Sequence, residues 1–100
     1  MTRPSASILI VDDEDMVSGL LSELLESTYW CATAASAEQA MTSLESGSFN
    51  LVLSDITMPG ASGIELCRHI QQNHPRTVVI MMSALTDIQY AVESAASFSL

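Results

Sequence analysis

Asp12 and Asp13 follow the apolar run Ile8-Leu9-Ile10-Val11, and Asp55 follows a second run, Leu51-Val52-Leu53-Ser54. A third run, Val78-Val79-Ile80-Met81-Met82, ends in Ser83. Carboxylates gathered in one place repel: two unit charges about 4 Å apart, at an effective dielectric near 20, do so by roughly 4 kcal/mol. Three together raise one another's pKa values unless a cation sits among them. Mg²⁺ suits such a place, because it prefers hard oxygen ligands and keeps waters that a phosphoryl oxygen can replace. An aspartate carboxylate is also a nucleophile towards phosphoryl groups, giving an acyl phosphate. The protein then has to position the donor and neutralise charge on the group in transfer.

The elements that bring these groups together are legible in the pattern. Each apolar run has the length and β-branched content of a buried strand and ends in a polar group. In an open α/β sheet, sites are built at the carboxyl ends of the strands. Between the runs lie helical patterns. Met16, Val17, Leu20, Leu21, Leu24 and Leu25 form one apolar stripe, and Tyr29–Thr33 reads as a short edge strand. Ser36 opens a second helix with Gln39 three residues on, as in a capping box. Ala37, Ala40, Met41 and Leu44 are its core face and Gly47 its end. The third strand spans Asn50–Ser54.

A turn-rich loop, Asp55 to Gly63, follows. Ile64, Leu66, Cys67 and Ile70 mark a third helix, stopped by Asn73-His74-Pro75. The fourth strand is Thr77–Met82, and Thr86 or Asp87 caps a fourth helix carrying Ile88, Ala91, Val92 and Ala95. Strand-helix alternation of this density predicts parallel strands joined by right-handed crossovers, with helices on both faces. Ser97–Leu100 begins a fifth strand with no residues left for a closing helix, so the expected unit is one domain, 1–100, cut short at its C-terminal end.

Bulk properties bound the rest. One hundred residues with 48% hydrophobic content make one small domain with a real core. No run approaches the roughly 20 apolar residues of a membrane span, and the N-terminus lacks a secretory pattern, so a cytoplasmic location is expected. Twelve acids against three arginines and no lysine give a net charge of −9, which argues against direct nucleic-acid binding. Cys31 and Cys67 read as reduced, buried packing residues rather than a disulfide. Glu14 and Asp15 read as acids favoured at a helix start, and His69 and His74 as surface residues. Met58, Met81 and Met82 read as packing side chains, as do Tyr29 and Trp30.

Taken in order, Ile-Leu-Ile-Val-Asp12-Asp13-Glu14, Ser54-Asp55-Ile-Thr-Met58-Pro59-Gly60 and Met82-Ser83-Ala84 resemble the three signatures of the receiver domain of two-component response regulators, over nearly the whole chain. The resemblance implies a flavodoxin-like (CheY-like) doubly wound parallel sheet of strand order 2-1-3-4-5. It implies Asp55 as phosphoacceptor, with a sensor histidine kinase as donor. Asp13 and Asp55 would ligate Mg²⁺ directly, Asp12 through a water, and Thr57 through its backbone carbonyl. Ser83 would hydrogen-bond the phosphoryl oxygen, Ala84 would keep the site accessible, and Met58-Pro59-Gly60 would fix the loop beside Asp55. The implied activity is a phosphorylation switch acting on an output domain or partner, with self-catalysed transfer and autodephosphorylation, and not a metabolic enzyme.

The chain departs from the family pattern in one respect. The expected fifth-strand lysine is missing, and its expected place is beyond Leu100. The absent lysine and final helix feed a rival reading, a receiver-like interaction module that works without phosphorylation. A Mg²⁺-dependent phosphatase would want an acid/base Asp two residues after the nucleophile, and position 57 is Thr. An incompletely covered sheet face also predicts a homodimer, strand-exchanged oligomers or low stability for residues 1–100.

Overall fold

The computed structural model describes residues 6–82, and the readings that fall on Ser83, Ala84, the fourth helix and Phe98 lie outside them. The described chain runs β1 (Ser7–Val11), α1 (Asp15–Leu25), β2 (Trp30–Ala34), α2 (Ala37–Ser46), β3 (Leu51–Asp55), α3 (Gly63–Asn73) and β4 (Val78–Met82). The four strands form one parallel sheet in the order β2-β1-β3-β4. This agrees with the expected order as far as β4. The second and third strands sit one residue later than their pattern suggested, and the shift takes Asp55 into β3 itself.

The register of the pairs fixes the two faces. Ile8 pairs with Leu51 and Leu51 with Val78, Ile10 with Leu53 and Leu53 with Ile80. Because side chains alternate along a strand, Leu9, Val11 and Val52 point the other way. They join Ala37, Ala40 and Leu44 of α2, Leu66 and Ile70 of α3, and Met58 in a single buried cluster. Both helices on this face carry a serine cap, Ser36 as its sequence implies. The Ser36 hydroxyl accepts from Gln39 N–H at 3.1 Å and the Ser62 hydroxyl from Glu65 N–H at 3.1 Å. The Gln39 side chain reaches back to Ala35 N–H, one residue before the cap, rather than to the cap itself. Gly47 ends α2 in extended backbone, so no left-handed cap is involved.

Among the described residues, α1 covers the opposite face, lying against β1 and β2. It buries Ile8 and Ile10. The six-residue stripe expected to be the core face of α1 is instead largely open: Met16, Leu20 and Leu24 are 88%, 57% and 66% exposed, and Ser18 is the helix's buried residue. Val78 and Ile80 on the same face of the sheet are exposed as well. The reason is geometric. One helix spans about two strands of a parallel sheet with 4.8 Å spacing, and among the described residues no second helix lies over β3 and β4. No helix among the described residues is long and apolar enough to cross a membrane.

Cys31 and Cys67 are both free, as expected, though half-buried rather than fully buried. Burial, followed by the nearby Glu26 carboxylate, pushes the Cys31 thiol above its ordinary range, away from the reactive thiolate. His69 and His74 are corrected from surface residues to half-buried ones. Their rings lie 5.9 Å apart, each with an enclosed Nε2 that has no hydrogen-bond partner among the described residues.

Candidate functional site

Two strand ends make the site. Asp12 follows the last residue of β1 and Asp55 is the last residue of β3, so the parallel pairing of Val11 with Ser54 sets both acids at one edge of the sheet. Both continue the alternation of the α1 face, after Ile8-Ile10 and Leu51-Leu53 respectively. Asp12 is held on both sides. Its N–H donates to the Ala34 carbonyl at 3.1 Å, and its Oδ1 accepts from Glu14 N–H at 2.9 Å. That turn delivers Asp13 to solvent and starts α1. Glu14 occupies the cap position without a side-chain cap bond, and Asp15 supplies a negative charge to the first turn.

Carboxylate oxygens of Asp12, Asp13 and Asp55 all lie within 4.8 Å of one another, the first buried, the second exposed and the third between. The sequence reading of one acidic site is therefore met in space. Burial, together with the charges of Asp12 and Asp13, raises the Asp55 carboxyl above the ordinary carboxylate range. A hydrogen bond from Thr57 N–H to Asp55 Oδ1 at 3.3 Å works the other way. The site thus holds a carboxylate that its surroundings disfavour as an anion, a condition that a cation relieves.

The donor set fits Mg²⁺. Oxygens bound to one Mg²⁺ at about 2.1 Å lie no more than about 4.2 Å apart, a span close to the one these carboxylates already occupy. Thr57 is exposed two residues beyond Asp55. Ser83, the remaining candidate, lies outside the described residues.

Behind the acids, the loop from Ile56 to Ser62 is tied down at several points. Ile56 N–H donates to the Met82 carbonyl at 3.0 Å and Gly63 N–H to the Ile56 carbonyl at 3.1 Å. Met58 is buried in the core cluster. Gly60 has φ of 80°, the value required at the third residue of a type II turn, with Pro59 in the favoured place before it. A side chain at Gly63 would collide with the Asp55 carbonyl oxygen and sit 2.9 Å from Met81 Cε. The sequence reading missed this second glycine. The sequence places Gly63 at the end of the loop, whereas it is the first residue of α3, and the backbone it meets is not visible there.

Trp30 pairs with Ser7 at the amino end of the sheet and is 58% exposed, far from the acids, so its fluorescence is a poor reporter of events at Asp55. A groove of about 590 Å³ at that same amino edge, lined by Leu44, Phe49, Asn50, His74 and Arg76, shares no residue with the acidic cluster.

A parallel sheet of this order with three acids at its carboxyl edge defines a receiver-type α/β domain. The chain belongs to the response regulator receiver domain family, whose pattern matches residues 8–97. It is 33% identical over 88 residues to the DNA-binding transcriptional regulator NtrC of Salmonella typhimurium, a match that takes in 87% of this chain and 19% of that protein. Against the response regulator protein PilR of Pseudomonas aeruginosa it is 35% identical over 99 residues, covering 94% of this chain and 21% of the relative. The chain therefore spans about a fifth of the length of the curated relatives it matches. Among solved structures, the response regulator TrrA of Thermotoga maritima in complex with Mg²⁺-BeF superposes with a TM-score of 0.75 at 36% identity, covering 91% of this chain and 80% of the other. Receiver domains of this family are signalling switches of two-component systems rather than metabolic enzymes.

Proposed function

We propose that this domain is switched by a phosphoryl group carried on Asp55. The observation that carries the reading is the convergence of Asp12, Asp13 and Asp55 oxygens within 4.8 Å at the carboxyl edge of the sheet. An Asp55 carboxylate oxygen attacks phosphorus, and the bond to the donor breaks with its electron pair leaving on the donor atom. From a phosphohistidine, that atom is an imidazole nitrogen. The product is an acyl phosphate, and attack by water on its phosphorus later returns the carboxylate and inorganic phosphate.

Mg²⁺, when bound, supplies charge neutralisation for the transferring oxygens. Asp13 and Asp55 would hold it directly and Asp12 through a water, with the Thr57 carbonyl as a further ligand. The bond from Glu14 N–H keeps the buried Asp12 oriented. Thr57 N–H steadies one Asp55 oxygen. Ser83 follows Met82 in the sequence and would meet the phosphoryl oxygen, biasing a two-state equilibrium that a partner reads.

The donor is a sensor histidine kinase. The output lies in a further domain or a separate protein, by analogy with a relative described as a DNA-binding transcriptional regulator.

The test is intact mass after incubation with acetyl phosphate and Mg²⁺. A gain of one phosphoryl group that requires Mg²⁺ and is lost in Asp55→Asn supports the reading. A gain retained by Asp55→Asn, or none in the unsubstituted chain, overturns it.

A further inference from the structure

The turn at Pro59-Gly60 lacks the bond that usually closes such a turn. In a closed type II turn, the N–H of the fourth residue, here Ala61, donates to the carbonyl of the first, here Met58. Ala61 N–H instead donates to Glu38 Oε2 at 3.2 Å, a carboxylate on the first turn of α2 and 23 residues away in sequence. The absence of a side chain on Gly60 leaves room for that carboxylate: a Cβ there would sit 3.0 Å from Glu38 Oε2. Glu38 is itself fixed, because the Ser36 cap and the Gln39 bond to Ala35 N–H define the start of α2. Among the described residues, this is the one hydrogen bond that reaches Pro59, Gly60 or Ala61 from outside the loop.

We propose that Glu38 is a positioning residue for phosphoryl transfer at Asp55. Its carboxylate holds the Pro59-Gly60 turn open and so sets the path of the Thr57 backbone beside the acids. This rests on the reading of Asp55 as phosphoacceptor. With the carboxylate removed, Ala61 N–H is free to close on the Met58 carbonyl. Closure turns the Met58 carbonyl towards Ala61 N–H, and the backbone of Thr57, the residue before it, shifts with that turn. The loop then presents its backbone oxygen to the cation site in a poorer place. Glu38 is exposed, and its loss removes no core packing.

The experiment compares the unsubstituted chain with Glu38→Ala and Glu38→Gln. It follows phosphoryl gain from acetyl phosphate by intact mass across a Mg²⁺ series, with melting curves alongside. We expect Glu38→Ala to need about two- to tenfold more Mg²⁺ for the half-maximal rate, the range set by one hydrogen bond. Glu38→Gln, which keeps an acceptor oxygen, should restore most of it. An unchanged Mg²⁺ requirement in Glu38→Ala, whatever its melting temperature, overturns the proposal, as does a Gln variant no better than Ala. Should the unsubstituted chain gain no phosphoryl group, the phosphoacceptor reading falls on its own. Calorimetric titration with Mg²⁺ alone still judges Glu38: weaker binding by Glu38→Ala supports its role, and equal binding removes it.

Discussion

The two faces of the sheet are built from equally apolar sequence and end up in different states. On the α2 and α3 side, Leu9, Val11, Val52, Leu66 and Ile70 are wholly enclosed. On the α1 side, among the described residues, Ile8 and Ile10 are buried, while Leu20, Leu24, Val78 and Ile80 are 48–66% exposed. The acids continue the second face. The closed side therefore supplies rigidity, and the chemistry is mounted where the structure is less filled. A reactive group needs access, and the anchored side can hold it in place without covering it.

The contrast can be broken most directly by stability. Leu66→Ala removes a fully enclosed side chain and should lose about 3 kcal/mol in urea unfolding, whereas Leu20→Ala on α1 should stay within about 0.5 kcal/mol. Equal losses would show that the α1 face is filled after all. Gly63→Ala comes next, at about 2 kcal/mol, because the added carbon collides with backbone rather than with a flexible side-chain end. That variant should also weaken Mg²⁺ binding, since the atom it displaces belongs to Asp55. Addition of Mg²⁺ at ten times its Kd should stabilise the chain by about 1.4 kcal/mol. Asp13→Asn should abolish most of that gain in a melting series.

The smallest of these effects concerns pH. The folded-state pKa of Asp55 is raised, so between its unfolded and folded values the native state binds more protons. Its ionisation therefore destabilises the fold above that window and ceases to do so below it. Without Mg²⁺, Asp55→Asn should raise stability near pH 7 by no more than about 1 kcal/mol after solvent screening. The gain should fade as pH falls through the carboxylate range. A variant that melts lower than the parent at pH 7 would contradict the direction of the shift.

Much of the site was legible in sequence because strand and acid are adjacent there: Val11 before Asp12 and Ser54 before Asp55 leave little freedom in where the carboxylates go. The periodicity of α2 and α3 identified their core residues for the same local reason. The fate of the α1 stripe was not legible. Helical spacing shows that Met16, Leu20 and Leu24 share a face, but coverage of that face depends on elements distant in the chain. The Glu38 bond to Ala61 and the collision point at Gly63 were hidden likewise, since each joins residues whose meeting only the assembled sheet decides. The half-burial of His69 and His74 was not legible either, since a polar residue type does not report exposure.

The glycine at the head of α3 has a mechanical consequence. Its backbone rests on the carbonyl of Asp55 with no side chain between them, so the joint has no soft material to absorb displacement. When the Asp55 backbone tilts, α3 must tilt with it like an arm bolted to an axle, and Leu66 and Ile70 carry the movement into the enclosed side of the sheet.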